Sequence, residues 1–218
     1  NKHLLEELVE LDMWTEEVAE CLEESGAEIL TILNGSPYEQ DKWDTRVNLA
    51  VARATECRKP LIYVNQVGGQ DELVFDGASF VLGSDASLRA QAPAWVETVM
   101  LTDWSRDGDT WVCAEADRHP PPDGDPAIYS AMVLGLRDYV KKSGFPGVLI
   151  GMSGGIDSAL TAAVAADALG PEAVHCVMMP SPYTSQESLD DAEEACRLLG
   201  APLDSVSIDP AMGAFDEM

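Results

Sequence analysis

Residues 147–170, GVLIGMSGGIDSALTAAVAADALG, decide how the chain is read. Val148, Leu149 and Ile150 form a continuous apolar run, which reads as a strand of a parallel sheet covered on both faces. Ser153-Gly154-Gly155-Ile156-Asp157-Ser158 follows as a tight loop that opens a helix, on which Ile156, Leu160 and Val164 recur at four-residue spacing on one face. Gly170 followed by Pro171 supplies the stop.

Two adjacent glycines at a strand-to-helix junction let the backbone approach a ligand closely, and the unpaired N–H groups of the first helical turn favour an anion. Ser153 and Ser158 add hydroxyl donors. Asp157 puts a carboxylate where a phosphate alone is unwelcome, and a divalent cation between the two resolves the charge. The loop therefore reads as a magnesium-nucleotide site. Gly151, Met152, Ser153, Gly154, Gly155, Ile156, Asp157 and Ser158 surround the phosphates, Asp157 is the metal ligand, and Met179 closes the next strand on the same edge. No Lys follows the glycines, so this is not a Walker A loop.

The pattern S-G-G-x-D-S at 153–158 resembles the pyrophosphatase loop of ATP-splitting amide ligases and tRNA-thiolating enzymes. The longer string GLRDYVKKSGFPGVLIGMSGGIDSAL at 135–160 resembles the start of the synthetase domain of glutamine-dependent NAD+ synthetases.

The 13 basic and 39 acidic residues give a formal charge of −26, which disfavours nucleic acid and anionic membrane surfaces as partners. The cysteines at 21, 57, 113, 176 and 196 are odd in number and form no C-x-x-C pair. They indicate neither a disulfide framework nor a zinc site, and fit a reducing cytoplasm. No apolar run reaches membrane-spanning length, no signal peptide is visible, and an opening Asn1 without Met reads as a chain that starts mid-protein or after processing.

Taken in order, Leu4, Leu5, Leu8 and Leu11 predict an amphipathic helix, and Thr15 caps a second one through Leu22. Strand Ala27–Leu33, the loop Asn34-Gly35-Ser36-Pro37-Tyr38, a helix from about Asp41 to Lys59 and strand Leu61–Val67 alternate as an α/β layer. In that helix Val47, Ala50, Val51 and Ala54 face inward. Short strands are expected at Leu73–Phe75, Ser79–Leu82, Thr98–Trp104 and Trp111–Ala114, the last closing a hairpin about Arg106–Asp109. His119-Pro120-Pro121-Pro122-Asp123-Gly124-Asp125-Pro126 is a linker, which divides the chain into domains at 1–118 and 127–218. Beyond it come a helix over Ile128–Lys142 with Met132, Leu136 and Tyr139 on one side, and then the nucleotide loop. Strand Ala173–Met179, a helix from Ser188 with Asp190 and Asp191 in its first turn, and strand Leu203–Ile208 complete the start of a doubly wound parallel sheet.

The first half carries Asp12-Met13-Trp14, Asn34-Gly35-Ser36-Pro37-Tyr38 and Asn65-Gln66-Val67-Gly68-Gly69-Gln70-Asp71-Glu72. These resemble the nitrilase-like glutaminase domain that precedes the synthetase domain in the same family. The resemblance implies an α/β fold in two parts, the C-terminal part of a nitrilase-like sandwich followed by the start of a PP-loop nucleotide domain. It also implies ATP-dependent, Mg2+-dependent amidation of deamido-NAD+ through an adenylated intermediate, with AMP and pyrophosphate released. Glutamine or ammonia is the nitrogen source, and the full-length enzyme is a homo-oligomer. Ser36 and Lys42 correspond to residues that hold the amino-acid end of glutamine. The family's nucleophile motif is Cys-Glu-Asp-x-Trp, and alignment on Asp12 and Trp14 places Glu10 where the thiol belongs. Its Glu and Lys partners fall before residue 1, leaving no catalytic residue to assign. Cys21 reads as a packed structural thiol. Two rivals stay open: another amide ligase of the same loop type, and a catalytically silent nucleotide-binding or scaffold chain.

A carboxylate at position 10 removes the soft attacking atom that amide hydrolysis needs. The purified chain incubated with glutamine should therefore form no glutamate above a protein-free control. Turnover abolished by Cys21→Ser would identify Cys21 as the nucleophile instead.

Overall fold

The computed structural model describes residues 25–217. The two helices expected over 4–22 lie outside the described residues, as do Glu10, Asp12, Trp14 and Cys21. The chain divides into two compact units, one running through Gly68 and then Glu72–Ala131, the other holding Gly69–Asp71 and everything from Met132.

In the first unit β1 (Leu30–Asn34), α1 (Lys42–Cys57) and β2 (Leu61–Asn65) form a strand-helix-strand motif. The strands pair in parallel, Leu30 opposite Leu61 and Asn34 opposite Asn65. α1 ends where Arg58 turns into left-handed backbone (φ 48°) and returns its N–H to the carbonyls of Ala54 and Thr55. Pro60 follows. β3 (Val67–Gln70) and β4 (Leu73–Asp76) make a two-stranded ladder. β5 (Phe80–Leu82) and β6 (Leu88–Gln91) then extend the main sheet antiparallel, in the order β1-β2-β5-β6. β7 (Trp104–Asp107) and β8 (Thr110–Cys113) form the expected hairpin.

Period-two alternation gives the main sheet two apolar faces. On one, Leu30, Leu61, Tyr63, Phe80 and Leu82 pack on Ala50, Ala54 and Cys57 of α1, with Tyr63 and Phe80 stacked 4.9 Å apart. On the other, Val81, Ala90 and Cys113 are covered by Ile62, Met100 and Trp104. Strand expectations fail here in three places. β1 starts at Leu30 rather than Ala27 and buries only Leu30, because it is the edge strand. Residues 98–103 are not a strand: Val99 and Leu101 are exposed, so their alternation with Met100 has no hydrogen-bonded partner to convert it into a ladder. β6, whose Arg89 and Gln91 mask the pattern, was not expected at all.

α2 (Asp125–Ser143) starts three residues before the expected Ile128. Pro126 falls in its first turn, where the missing N–H costs nothing and the fixed φ suits a helix. Its buried residues are Ala127, Leu134 and Val140, whereas Met132 and Tyr139 are exposed.

In the second unit β9 (Val148–Met152), α3 (Ile156–Leu169), β10 (Val174–Met178), α4 (Gln186–Leu199) and β11 (Leu203–Ser205) build an all-parallel sheet in the order β11-β10-β9. α5 (Asp209–Asp216) follows. Ser185 caps α4 by accepting from the Ser188 N–H, so the helix starts two residues before Ser188 and leaves Asp190 and Asp191 beyond its first turn. The core joins Ile150, Met152, Val174, Cys176 and Met178 to Ala162, Ala165, Ala192 and Cys196.

Among the described residues β9 pairs only with β10, and Leu149 is 74% exposed although it lies inside the apolar run. On α3, Ile156 (79% exposed) and Leu160 (47%) face outward and only Val164 of the expected trio is buried. The core face is instead Ala162, Ala165, Ala166 and Ala168, small side chains that let the helix backbone lie close to the sheet.

The corrected helix face makes opposite demands on neighbouring positions. Ile156→Ala should leave stability within about 0.5 kcal/mol of the parent. Ala165→Leu, which forces a larger side chain into a packed core, should cost about 1–3 kcal/mol. Urea unfolding followed by circular dichroism reads both.

Candidate nucleotide and amino-acid sites

The loop between β9 and α3 leaves the sheet at the carboxyl end of β9, beside the carboxyl end of β10. Two serines brace it. The Ser153 N–H donates to Ser158 Oγ at 3.3 Å, the two hydroxyls lie 3.2 Å apart, Ser158 Oγ donates to the Gly155 carbonyl at 2.9 Å, and the Gly155 N–H donates to Ser153 Oγ at 3.4 Å. Gly155 at the N-cap offers no side chain, so the first-turn N–H groups of α3 are left for an incoming acceptor.

The two glycines do different work. Gly154 has φ +76°, and a Cβ there would stand 2.3 Å from the Ser188 carbonyl oxygen in the first turn of α4. Gly155 has ordinary extended backbone (φ −85°), and a Cβ there would meet only Ser153 Oγ, at 3.4 Å. The loop can lie against α4 because position 154 carries no side chain.

A cavity of about 270 Å³ opens at this edge, lined by Gly151, Met152, Ser153 and Met179 together with Met178, Pro180, Thr184, Ser188 and Leu189. Gly154, Gly155, Ile156, Asp157 and Ser158 do not line it; they flank it on the helix side. Asp157 is exposed in the first turn of α3, and among the described residues no three His, Cys, Asp or Glu side chains cluster as a metal site. Magnesium at Asp157 thus requires phosphate and water oxygens to complete its shell, which is its usual mode with nucleotides, and the residues fit that mode.

In the first unit Ser36 follows β1 and is buried within a polar cluster. Its N–H donates to Asn65 Oδ1 at 2.9 Å, and its carbonyl accepts from Asn65 Nδ2 at 3.2 Å. Arg46 Nη2 approaches both its carbonyl and its Oγ at 3.4 Å. Lys42, at the start of α1, has its ammonium paired with Glu39 at 2.7 Å. It lines a second cavity of about 150 Å³ together with Tyr38, Arg46, Asp76 and Trp95. Ser36 is not part of that lining and joins it through Arg46.

Two family models match the chain: carbon-nitrogen hydrolase over residues 9–108 and NAD synthase over 128–218. Glutamine-dependent NAD(+) synthetase of Rhodobacter capsulatus is 52% identical over 205 residues, which cover 94% of this chain and 37% of that protein. The enzyme of the same name from Acinetobacter baylyi is 40% identical over 204 residues with the same coverage. The structure of glutamine-dependent NAD+ synthetase from Acinetobacter baumannii in complex with adenosine diphosphate superposes with a TM-score of 0.85 at 39% identity, over 94% of this chain and 39% of that one. The chain belongs to the glutamine-dependent NAD+ synthetase family. It spans somewhat over a third of the length of these relatives. A Cytophaga hutchinsonii structure of the same enzyme name, 17% identical with a TM-score of 0.70, shares the fold.

Several site residues were not legible beforehand. Thr184, Ser188 and Leu189 line the nucleotide-side cavity because α4 starts beside the loop, a placement no local pattern encodes. Arg46 and Asn65 did leave a signal: a charge four residues before Ala50 on the inward stripe of α1, and an amide ending an apolar strand. The described thiols Cys57, Cys113, Cys176 and Cys196 are buried and form no disulfide with one another. Burial, and then a hydrogen bond with Cys176, pushes the Cys196 thiol up to about 12, so it is an inert core group at neutral pH. Among the described residues no helix is long and apolar enough to cross a membrane.

Gly154→Ala should lower the melting temperature, because it combines left-handed strain with a backbone clash against Ser188. The cost is about 1–3 kcal/mol. Gly155→Ala should melt within a degree or two of the parent, in line with a strain-free backbone. Thermal melts by circular dichroism measure both.

Proposed function

We propose that this chain supplies the nucleotide-activating site and a glutamine-binding site of an enzyme that converts deamido-NAD+ to NAD+, using ATP, Mg2+ and either glutamine or ammonia. The pairing of a carbon-nitrogen hydrolase region with an NAD synthase region in one chain carries this reading. The family resemblance to a structure solved with adenosine diphosphate supports the nucleotide half. We assign residues 1–118 to the glutaminase-like part, 119–126 to the linker and 127–218 to the ligase part.

A carboxylate resists attack by ammonia until one oxygen becomes a good leaving group. In the proposed reaction a carboxylate oxygen of deamido-NAD+ attacks the α-phosphorus of ATP, and the bond to pyrophosphate breaks. Ammonia then attacks the acyl carbon, AMP departs with the C–O bonding pair, and the nitrogen loses a proton to leave the amide. Magnesium, when bound, offsets the negative charge that gathers as pyrophosphate leaves.

The chain's own residues do the holding. Ser153 and Ser158 keep the loop in one shape, so its backbone donors are set before the nucleotide arrives. Gly154 lets the loop lie against α4, and Met179 borders the space beside it. Asp157 is the carboxylate that faces the cation. In the first unit, Lys42 meets the glutamine carboxylate once that group displaces the half-exposed Glu39, and Ser36 contributes a hydroxyl.

Calorimetric titration of ATP with and without Mg2+ tests the nucleotide half. Asp157→Asn should weaken the magnesium-dependent component about tenfold, the scale of one lost charge-assisted contact, and leave magnesium-free binding and the circular dichroism spectrum unchanged. Unaltered Mg-ATP affinity in a folded variant would remove Asp157 as metal ligand.

A further inference from the structure

We infer that Arg46, clamped by Asp76, is a positioning residue for the glutamine site, fixing the Ser36 loop relative to Lys42; the inference rests on the glutamine-site reading above. Lys42 and Arg46 are four residues apart on α1, hence on one face of the helix, and both line the 150 Å³ cavity. Arg46 spans two further elements. Its Nη1 and Nη2 donate to the two carboxylate oxygens of Asp76, at the end of β4, at 3.1 and 3.0 Å. The same Nη2 reaches the carbonyl and hydroxyl of Ser36 after β1.

Asn65, at the end of β2, closes the circuit by bracketing the Ser36 backbone and donating to Asp76 Oδ1 at 3.2 Å. Asp76 is pinned in turn, since its carbonyl accepts from the N–H of Trp95 at 2.9 Å, and Trp95 is held in left-handed backbone (φ 68°). Arg46 is 5% exposed, Asp76 6% and Ser36 7%.

This arrangement divides the labour between two cations one turn apart. The guanidinium charge of Arg46 is already answered by a bidentate carboxylate, so it is not the receptor for a ligand carboxylate. Lys42 is, because its partner Glu39 is 46% exposed and can exchange. What Arg46 contributes is geometry: a planar fork holds a carboxylate and a serine at once, which a lysine ammonium at the same position cannot do from one fixed plane. Removing the fork frees the Ser36 side chain from α1 while Lys42 stays on it.

L-glutamine titrated calorimetrically into the purified protein tests this with Ser36→Ala, Lys42→Ala and Arg46→Gln, singly and combined, folding being followed by circular dichroism. Arg46→Gln should weaken glutamine on the order of tenfold. In that background Ser36→Ala should cost no more than about twofold further, because the serine hydroxyl is no longer held by the guanidinium, whereas Lys42→Ala should cost the same as in the parent. A merely structural Arg46 would lower the melting temperature and leave the two penalties independent. If Arg46→Gln does not fold because Asp76 is left buried and unpaired, the paired replacement Arg46→Met with Asp76→Leu, which leaves no buried charge, takes its place. Equal Ser36→Ala penalties in both backgrounds, with glutamine binding intact in the parent, overturn the positioning role alone. Absence of glutamine binding in the parent overturns the site reading and this inference together.

Discussion

Parallel pairing is the constraint on which both sites depend. When β1 and β2 align with Asn34 opposite Asn65, and β9 and β10 with Met152 opposite Met178, consecutive strands end at the same edge and the following loops emerge side by side. The Ser36 loop therefore meets Asn65, and the Ser153 loop meets the Met178–Pro180 corner, although each pair is remote in sequence. A helix must cross back between the strands in each case, and its first turns arrive at that same edge. Lys42 and Arg46 stand there in the first unit, and Asp157 in the second.

Charge is handled differently at the surface and inside. Arg53 with Glu56, Arg89 with Asp85, Arg118 with Glu115 and Arg197 with Glu194 are local pairs on solvated faces, and pairs of this kind contribute about 0–1 kcal/mol each. Arg46 with Asp76 is the buried case, where removing one partner costs about 3–5 kcal/mol because the other is left charged and unsolvated. A chain with a net charge of −26 repels anionic ligands at long range. In the proposed sites Lys42 and the backbone N–H groups at the start of α3 would counter that field locally.

The errors of sequence reading share a cause, which is that periodicity reports chemistry along the chain and not the partner across from it. Residues 98–103 hold the apolar run Val99-Met100-Leu101 and form no ladder. β6 looks too polar for a strand and forms one because β5 lies beside it. The apolar run at Val148–Ile150 reads as doubly covered, and among the described residues β9 has a partner strand only in β10, with Leu149 exposed. On α3 the four-residue spacing of Ile156 and Leu160 does not mark the core face, which the alanines form against the sheet.

Local chemistry by itself determined the alternation of strands and helices around each parallel pair, the tight loop at 153–158 and the Pro-rich stretch ahead of α2, because each rests on backbone preferences. Tertiary structure alone decided which glycine of the pair is indispensable, since only the approach of Ser188 makes position 154 intolerant of a Cβ. It also decided that Ser36 is tied to Asn65, Arg46 and Asp76. Those four residues come from separate elements, and nothing short of their packing brings a buried carboxylate, a guanidinium and two neutral polar groups into one hydrogen-bonded cluster, with only Arg46 Nε left unpaired within it.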